Sequence, residues 1–356
     1  MSIIANIFSA LFLLLTLTAC EKAPESTPHN GGSGESWLIP RNEVMDGGPG
    51  KDGIPALTNP IFTGPDQVTY LADSNLVFGV VIDGEARAYP HNILDWHEII
   101  NDDINQHSFA VIYCPLTGTG TAWSRQVAGY NTTFGVSGLL YNSNVIPYDR
   151  QTDSNWSQIM LQSVNGPLMG LPADVFNMVE TRWDTWKQMF PDTRVVSAQT
   201  GYGRDYTRYP YGPYRTEEDL IFPVNNLDNR LHLKERVLGV LVEGRAKAYP
   251  MALFGSGISL VTDQYMGKDL VVAGSREKDL VIAFFRELPG VGMLEFTPVQ
   301  DQLPLIMKDQ FGTYYDVFGN GVSGPGAGIR LHTTTQFMGY WFAWAAFHPG
   351  IPVFEK

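Results

Sequence analysis

The sequence predicts a β-rich α+β protein made of two internally duplicated halves that pack about a pseudo-twofold axis. The main observation is a block that occurs twice, since residues 77–90 read VFGVVIDGEARAYP and residues 237–250 read VLGVLVEGRAKAYP. Eight of these fourteen positions are identical. The second observation is that most apolar runs are short and bounded by turn residues, as in strands. A pair of barrel-like halves is an alternative arrangement of these strands.

Each copy of the block predicts a β-hairpin. Asp83-Gly84 in the first copy and Glu243-Gly244 in the second lie between strand-like runs, and an acidic residue followed by glycine is typical of tight hairpin turns. The remaining predicted elements are short: buried strands at 109–113, 270–273 and 280–285, and helices at 92–101, 183–189 and 337–347. Trp183 and Trp186 of the first copy correspond to Trp341 and Trp344 at an offset of 158.

The chain is predicted to have four parts: a lipoprotein signal peptide at 1–19, a flexible tether at 20–37, a first repeat with the candidate site at 38–228, and a second, degenerate repeat at 229–356. The first nineteen residues are uncharged and largely apolar, and Leu17-Thr18-Ala19 precedes Cys20. This pattern predicts cleavage before Cys20 and its lipidation. A transmembrane anchor is the alternative, although the run is short for a span.

A lipidated Cys20 would hold the protein on the periplasmic face of a membrane in the cell envelope. Glu21 follows it in place of the aspartate that tends to retain lipoproteins at the inner membrane, which favours the outer membrane. The net charge of −13 argues against a nucleic-acid partner, because binding phosphates requires clustered Lys and Arg.

The two copies differ where reactive side chains occur. At an offset of 160, Trp96-His97-Glu98 becomes Ser256-Gly257-Ile258, and Tyr113-Cys114-Pro115 becomes Ala273-Gly274-Ser275. One copy therefore keeps reactive groups where the other has small or apolar residues. This asymmetry locates the candidate site in the first copy.

Cys114 is the central candidate. It follows a predicted strand and precedes a turn with two glycines, where backbone N–H groups can lower the pKa of a thiol. Thr117 stands where a C-x-x-C motif would have its second cysteine, so any redox cycle needs an external thiol reductant. The alternative is a buried, inert cysteine.

His97 is the candidate base or thiolate partner for Cys114, and Glu98 would orient it. Thr117 and Thr119 would donate hydrogen bonds to the sulfur. His91 is a second candidate base. The alternative for His97 is a half-exposed helix histidine beside a solvated carboxylate.

Further polar and aromatic residues are candidate substrate contacts: Arg125, Tyr148, Arg150, Trp156 and Arg204. Internal ion pairs that order long loops are the alternative for the arginines. A second hypothesis places a small molecule or glycan in an aromatic cleft lined by Trp156, Trp183, Trp186 and Tyr202. No nucleotide-binding or metalloprotease motif occurs, and the Cys and His spacing matches no zinc pattern, so we expect no cofactor and no metal.

The chain resembles the bacterial family called domain of unknown function 3179. The resemblance rests on Gly-Gly-Pro-Gly-Lys-Asp-Gly-Ile-Pro at 47–55, Ala-Tyr-Pro at 88–90, Trp-His-Glu at 96–98, Tyr-Cys-Pro-Leu-Thr-Gly-Thr at 113–119, Phe-Gly-Val-Ser-Gly-Leu-Leu-Tyr-Asn at 134–142 and Tyr-Asp-Arg-Gln-Thr at 148–152. Some members of that family are labelled as possible selenoproteins. A selenocysteine in place of Cys114 would imply redox or nucleophilic chemistry at this position.

These observations favour a lipid-anchored thiol oxidoreductase of one-cysteine type that acts on a small molecule, with Cys114 as the nucleophile. The first alternative is a non-catalytic lipoprotein that binds its ligand in the aromatic cleft. The second is a structural envelope protein whose repeats brace each other.

Overall fold

Strands dominate the computed structural model, which describes residues 36–355. Within this range the α-helices are α1 (His91–His97), α2 (Trp183–Met189) and α3 (Trp341–Phe347). The β-rich character predicted from the sequence is thus confirmed. The predicted signal peptide, Cys20 and residues 20–35 of the tether lie outside the described residues. In the described range, no helix has the length and apolar character needed to cross a bilayer.

The first half of the described chain is built mainly from three sheets. Their strand orders are β1-β11-β12-β13-β14, β15-β8-β7-β6-β2 and β16-β4-β5-β17-β3. The strands of this half are β1 (Met45–Asp46), β2 (Leu57–Thr58), β3 (Phe62–Thr63), β4 (Leu76–Ile82), β5 (Glu85–Pro90), β6 (Ile99–Ile104), β7 (His107–Cys114), β8 (Thr119–Ser124), β9 (Gln126–Val127), β10 (Tyr130–Asn131), β11 (Phe134–Tyr141), β12 (Asn144–Asp149), β13 (Asn155–Ser157), β14 (Gln162–Asn165), β15 (Val175–Phe176), β16 (Val179–Arg182) and β17 (Arg194–Val196).

The second half of the described chain has smaller sheets with related pairings. The main strand orders are β19-β18-β29, β20-β21-β22 and β25-β26-β27-β28. Its strands are β18 (Arg236–Val242), β19 (Arg245–Pro250), β20 (Ser259–Tyr265), β21 (Lys268–Ser275), β22 (Leu280–Phe285), β23 (Glu287–Leu288), β24 (Gly292–Met293), β25 (Phe296–Pro298), β26 (Leu305–Asp309), β27 (Tyr314–Asp316), β28 (Gly321–Ser323) and β29 (Thr335–Tyr340).

Both predicted hairpins are present. β4 pairs with β5 and β18 pairs with β19, each antiparallel and in the same relative register. The turn residues Asp83, Gly84, Glu243 and Gly244 all have positive φ, as a two-residue turn between twisted strands requires. Each hairpin gains a third strand in the same way, because β16 pairs with β4 and β29 pairs with β18.

Two predicted helices are shorter than expected. α1 ends at His97, because Glu98 adopts a φ of 56° and turns the chain into β6. The prediction of helix at 99–101 was therefore wrong. Residues 337–340, also predicted as helix, belong to β29, whose pairing with β18 overrides the local preference. α2 has the predicted bounds.

The two halves share a core. One buried apolar cluster contains side chains of both, among them Trp186 and Phe318, whose ring centroids are 6.5 Å apart. Across the boundary β8 packs against β29, and β16 packs against β22. This region between the halves lies next to the residues that the sequence analysis singled out.

Candidate functional site

Cys114 lies at the end of β7, where the turn to β8 begins. The turn is closed by a hydrogen bond from the Gly118 amide to the Cys114 carbonyl, and Gly118 has positive φ. The side chain is 1% exposed and packs among Ile112, Leu116 and Trp123. The predicted position at a strand end is thus present, but the sulfur is buried.

The surroundings of the sulfur keep it protonated. Burial and the nearby Glu98 carboxyl raise the pKa of Cys114 to about 11, although hydrogen bonds from Thr117 and the Val145 amide oppose this. The thiol donates to the Ser143 carbonyl at 3.5 Å. At neutral pH Cys114 is therefore a thiol and not a thiolate.

Thr117 and Thr119 belong to a buried hydrogen-bond network beside the cysteine. Their hydroxyls are 2.8 Å apart, and Thr119 donates to the Gln158 side chain at 2.7 Å. Asn144 donates to both threonines. Thr117 thus contacts the sulfur, whereas the hydrogen bonds of Thr119 run to Gln158, Asn144 and Thr117.

His97 makes its hydrogen bonds away from Cys114. Nδ1 lies 2.7 Å from the Pro55 carbonyl and Nε2 lies 2.7 Å from the Tyr206 hydroxyl. A carbonyl only accepts, so Nδ1 carries the proton and Nε2 accepts from Tyr206. Burial lowers the pKa of His97, which keeps the ring neutral. The expected hydrogen bond between His97 and Cys114 is not formed, because both ring nitrogens are used elsewhere.

Glu98 is the titratable neighbour of Cys114. Burial raises its pKa to about 8, against a hydrogen bond from Tyr211 that lowers it. The expected role of orienting His97 is not what these contacts show, because His97 bonds to Pro55 and Tyr206, whereas Glu98 accepts from Tyr211. A carboxyl that titrates near neutral pH can give or take a proton under physiological conditions.

The segment at 209–215, between the two halves, covers this site. The sequence analysis did not identify it as part of the site. Tyr209 donates to the Pro115 carbonyl at 3.3 Å, and Tyr214 donates to the Leu116 carbonyl at 2.9 Å. Arg215 binds the Asp95 carboxylate at 2.6 Å. The available signal was the sequence YPYGPYR at 209–215, because so many aromatic groups beside an arginine are unusual for a linker.

A second group of buried titratable side chains, which includes His91 and Glu180, lies at the boundary between the halves. The His91 ring lies between the rings of Phe78 and Tyr113, with centroid distances of 4.4 and 4.5 Å. Its Nε2 is 3.4 Å from Glu180 Oε1, which also accepts a hydrogen bond from Arg236 at 2.6 Å. Burial lowers the pKa of His91 well below its usual value and raises that of Glu180 to about 7.

The predicted substrate contacts are engaged in the protein itself. Arg125 binds the Thr132 and Asp102 carbonyls and the Asp103 carboxylate. Arg150 and Tyr148 both bind Asp52. Trp156 is buried and donates to Asp149, and Arg204 lies over the Trp96 ring. These contacts match the alternative in which the arginines order loops.

The aromatic cleft is not assembled as expected. Trp156 belongs to one buried cluster, and Trp183 and Trp186 belong to another, while Tyr202 is exposed. For metals, the described residues contain no group of three or more His, Cys, Asp or Glu side chains that could hold an ion.

A cavity of about 150 Å³ lies between the two halves. Its walls come from β4, β8, β15 and β16 of the first half and from β18, β22 and β29 of the second. Three of its lining side chains have a buried oxygen with no hydrogen-bond partner within residues 36–355: Thr121 Oγ1, Glu180 Oε2 and Thr334 Oγ1. Glu180 thus lines the cavity and also belongs, with His91, to the group of titratable side chains that extends towards Cys114.

Comparison with known proteins places the chain in a family. The model described as "Protein of unknown function (DUF3179)" matches residues 51–351. The chain belongs to this family. The match includes all the site residues described above and most of both halves. No curated protein and no solved structure matches the chain.

Proposed function

We propose that the protein is a lipid-anchored envelope protein that binds a small polar molecule in the cavity between its halves. The observation that carries this proposal is a cavity of about 150 Å³ that both halves line, three of whose lining side chains also have a buried oxygen without a partner among the described residues. Each unpaired buried polar group costs about 1–3 kcal/mol. A bound ligand with hydrogen-bond donors would recover part of that free energy.

The position of the cavity supports this proposal through the proposed duplication. Phe78 and Leu238 line it from positions that correspond at an offset of 160, as do Thr121 and Val281. The contact of β8 with β29 is matched by that of β16 with β22, its counterpart if the halves are equivalent. Such reciprocal contacts are what twofold packing of two copies produces. Thr121 and Glu180 correspond to Val281 and Met338, so two of the three unpaired oxygens have no polar counterpart in the second half.

Isosteric variants of the full-length chain test the binding site. Thr121→Val and Thr334→Val each remove an unpaired hydroxyl without changing the shape of the side chain. In ligand-free protein we expect each to raise the free energy of unfolding by about 1 kcal/mol, because a desolvation penalty disappears. Thr132→Val is the matched control, since Thr132 is equally buried but lies outside the cavity and accepts a hydrogen bond from Gln151.

The opposite outcome would contradict the proposed binding site. If Thr121→Val and Thr334→Val both destabilise the protein as much as Thr132→Val does, their oxygens are already paired by ordered water. The cavity would then lose its support as a ligand site. Urea unfolding at constant pH measures all four proteins.

The envelope location is a separate part of the proposal. It rests on the apolar segment before Cys20 and on the tether that follows. Metabolic labelling with a palmitate analogue should mark the wild-type chain and not Cys20→Ser. Recovery of unlabelled wild-type protein in the soluble fraction would contradict the anchor.

Thiol chemistry at Cys114 is the second candidate, and the neighbouring Glu98 favours it. In this scheme the Glu98 carboxylate accepts the thiol proton, the sulfur attacks a peroxide oxygen, and the leaving alkoxide takes the proton from Glu98. The products are a sulfenic acid and an alcohol. Two equivalents of an external thiol then reduce the sulfenic acid to the thiol and water and are themselves oxidised to a disulfide. The burial of the sulfur and its raised pKa oppose this scheme in the closed conformation.

Alkylation by iodoacetamide separates the two candidates. A thiol with a pKa of about 11 alkylates steadily faster as pH rises, so the rate for native wild type should show an additional step near pH 8, where Glu98 ionises. Glu98→Gln should keep the steady increase and lose the step. Cys114→Ser is the blank. A rate that equals the rate of global unfolding at every pH would exclude thiol catalysis and leave the binding function.

A further inference from the structure

We infer that residues 200–226, which lie between the two halves, form a strap that opens as a unit and controls access to Cys114 while both halves stay folded. The inference goes beyond the proposed binding function, because it concerns the thiol and not the cavity. It rests on how the strap is attached to the rest of the protein and on its contacts around the sulfur.

The strap makes no backbone pairing with other parts of the described chain. Residues 200–226 contain neither helix nor strand. Each of their backbone–backbone hydrogen bonds joins residues at most four positions apart, as from the Tyr214 amide to the Tyr211 carbonyl. Irregular segments longer than about 12–15 residues are uncommon in compact domains and usually serve as lids or binding loops. The strap can therefore detach without breaking a sheet, and its opening costs less free energy than global unfolding.

Side chains of the first half hold one end of the strap. Asn92 of α1 donates to the Tyr206 carbonyl at 2.8 Å, and Trp96 of α1 donates to the Arg208 carbonyl at 3.1 Å. Gly201 precedes these anchors, has positive φ and faces open space. A glycine in such a position can absorb the backbone rotation that a hinge requires.

Lys234 of the second half holds the other end of the strap. Its ammonium group donates to the carbonyls of Tyr214, Glu217 and Asp219, which uses all three of its donors. The ammonium also lies 3.6 Å from the centroid of the Tyr214 ring. Because one buried side chain holds three carbonyls, its loss should release much of the strap.

The strap contacts the surroundings of the thiol on two sides. On one side Tyr209 and Tyr214 bind the turn that follows Cys114. On the other side Ser143, whose carbonyl accepts from the thiol, donates its own hydroxyl to the Phe222 carbonyl at 2.6 Å. Tyr214 and Cys114 belong to the same buried cluster, and Phe222 packs against it. Opening of the strap therefore removes contacts on both sides of a thiol that is buried when the strap is closed.

The urea dependence of alkylation tests the inference on the full-length wild-type chain. Iodoacetamide is added at constant pH, and mass spectrometry of the peptide that contains Cys114 gives the rate. Local opening exposes little new surface, so the rate should not depend on urea at low concentrations and should rise only where global unfolding takes over. A rate that rises from zero urea with the full slope of global unfolding would overturn the inference.

Two strap variants and a matched control sharpen the test. Tyr214→Phe removes the hydrogen bond to the Leu116 carbonyl and should raise the urea-independent rate roughly fivefold to tenfold. Lys234→Met keeps the apolar stem, loses three hydrogen bonds and should raise that rate at least roughly tenfold. Tyr265→Phe is the control, because Tyr265 of β20 also donates to a backbone carbonyl at 2.9 Å, that of Ala246 in β19. The control should leave the urea-independent rate unchanged.

The outcomes that contradict this inference leave the binding function untouched. Equal acceleration by Tyr214→Phe and Tyr265→Phe would overturn it, because a general loss of stability would then expose the thiol. Unchanged rates in Tyr214→Phe and Lys234→Met would overturn it as well, since the strap would not control access to the sulfur. If a strap variant does not fold, the urea dependence of the wild-type rate still decides.

Discussion

The two hairpins at 77–90 and 237–250 make the same internal contacts. In each, a glycine lies directly under a tryptophan of a helix later in the same half, Gly79 under Trp186 of α2 and Gly239 under Trp344 of α3. In each, the tyrosine before the final proline donates to an aspartate at 2.6 Å. These shared contacts hold the strands of each hairpin against the rest of its half.

The halves differ beyond the hairpin. The first continues into α1 and places Glu98 next to Cys114, whereas the second makes only the 3-10 turn Met251–Leu253. At the position of Cys114 the second half has Gly274, and the Phe254 ring packs directly against it. Hydrocarbon therefore occupies in one half the space that holds a thiol and a carboxyl in the other. The two halves thus share the hairpin. The buried thiol and carboxyl occur in the half that has helix α1 after the hairpin and a cysteine at the end of β7.

The largest effect should come from the carboxyl that only the first half has. The pKa of Glu98 is about 8 in the folded protein against 4.5 ordinarily, so the folded state holds the proton more tightly. Between these values the free energy of unfolding falls as pH rises, by up to about 1.4 kcal/mol per pH unit. Glu98→Gln removes this contribution, and its stability relative to wild type should increase from pH 5 to pH 8.

The difference between variant and wild type is the quantity to measure, by urea unfolding at several pH values. Asp95 and Glu180 also have raised pKa values and act in the same direction, whereas His91, His97 and His348 have lowered pKa values and act in the opposite one. Glu277→Gln, at an exposed position, controls for the loss of one negative charge. Parallel stability curves for wild type and Glu98→Gln would show that Glu98 is not buried as described.

Substitutions at the glycine–tryptophan contacts test whether the two hairpins contribute equally to the free energy of unfolding. Gly79→Ala and Gly239→Ala each place a methyl group into an indole ring, so each should destabilise the protein by about 1–3 kcal/mol. The free energies of unfolding of the two variants should agree closely. A large loss in only one half would break the equivalence of the hairpins.

A smaller difference concerns the indole N–H groups of the same tryptophans. Trp186 donates to Thr193 at 2.9 Å, whereas the N–H of Trp344 is buried without a partner among the described residues. The position equivalent to Thr193 is Ile351. Thr193→Val should therefore cost about 1–2 kcal/mol and make the first half resemble the second. An unchanged melting temperature would mean that the Trp186 hydrogen bond contributes nothing.

The smallest effect should distinguish the two tyrosine–aspartate pairs. Tyr89→Phe and Tyr249→Phe each remove one hydrogen bond to a carboxylate, at about 1.5–3 kcal/mol, so the small quantity is the difference between the two variants. Asp102 is more deeply buried than Asp263, so Tyr89→Phe should cost more. The reverse order in thermal unfolding would contradict this ranking of the two halves by burial.

Much of the fold could be predicted from local sequence patterns. The hairpins with their acidic-residue–Gly turns, the strand at 280–285 and helix α2 follow from residue type and periodicity within a few positions. The helices at 92–101 and 337–347 were predicted too long, because a positive φ at Glu98 and the pairing of β29 with β18 depend on the surrounding structure. Such choices are made by contacts that lie far apart in sequence.

For the site, the sequence alone determined the block that occurs twice, the part of the chain with reactive side chains and the place of Cys114 at a strand end. Only the tertiary structure decided that Glu98 and not His97 lies beside the sulfur, that a tyrosine-rich linker covers it, and that a cavity lies between the halves. The physical reason is that burial determines which side chains are protonated and which oxygens are left without a hydrogen-bond partner. Burial is a property of the assembled core, which brings together residues as distant in sequence as Thr121 and Thr334.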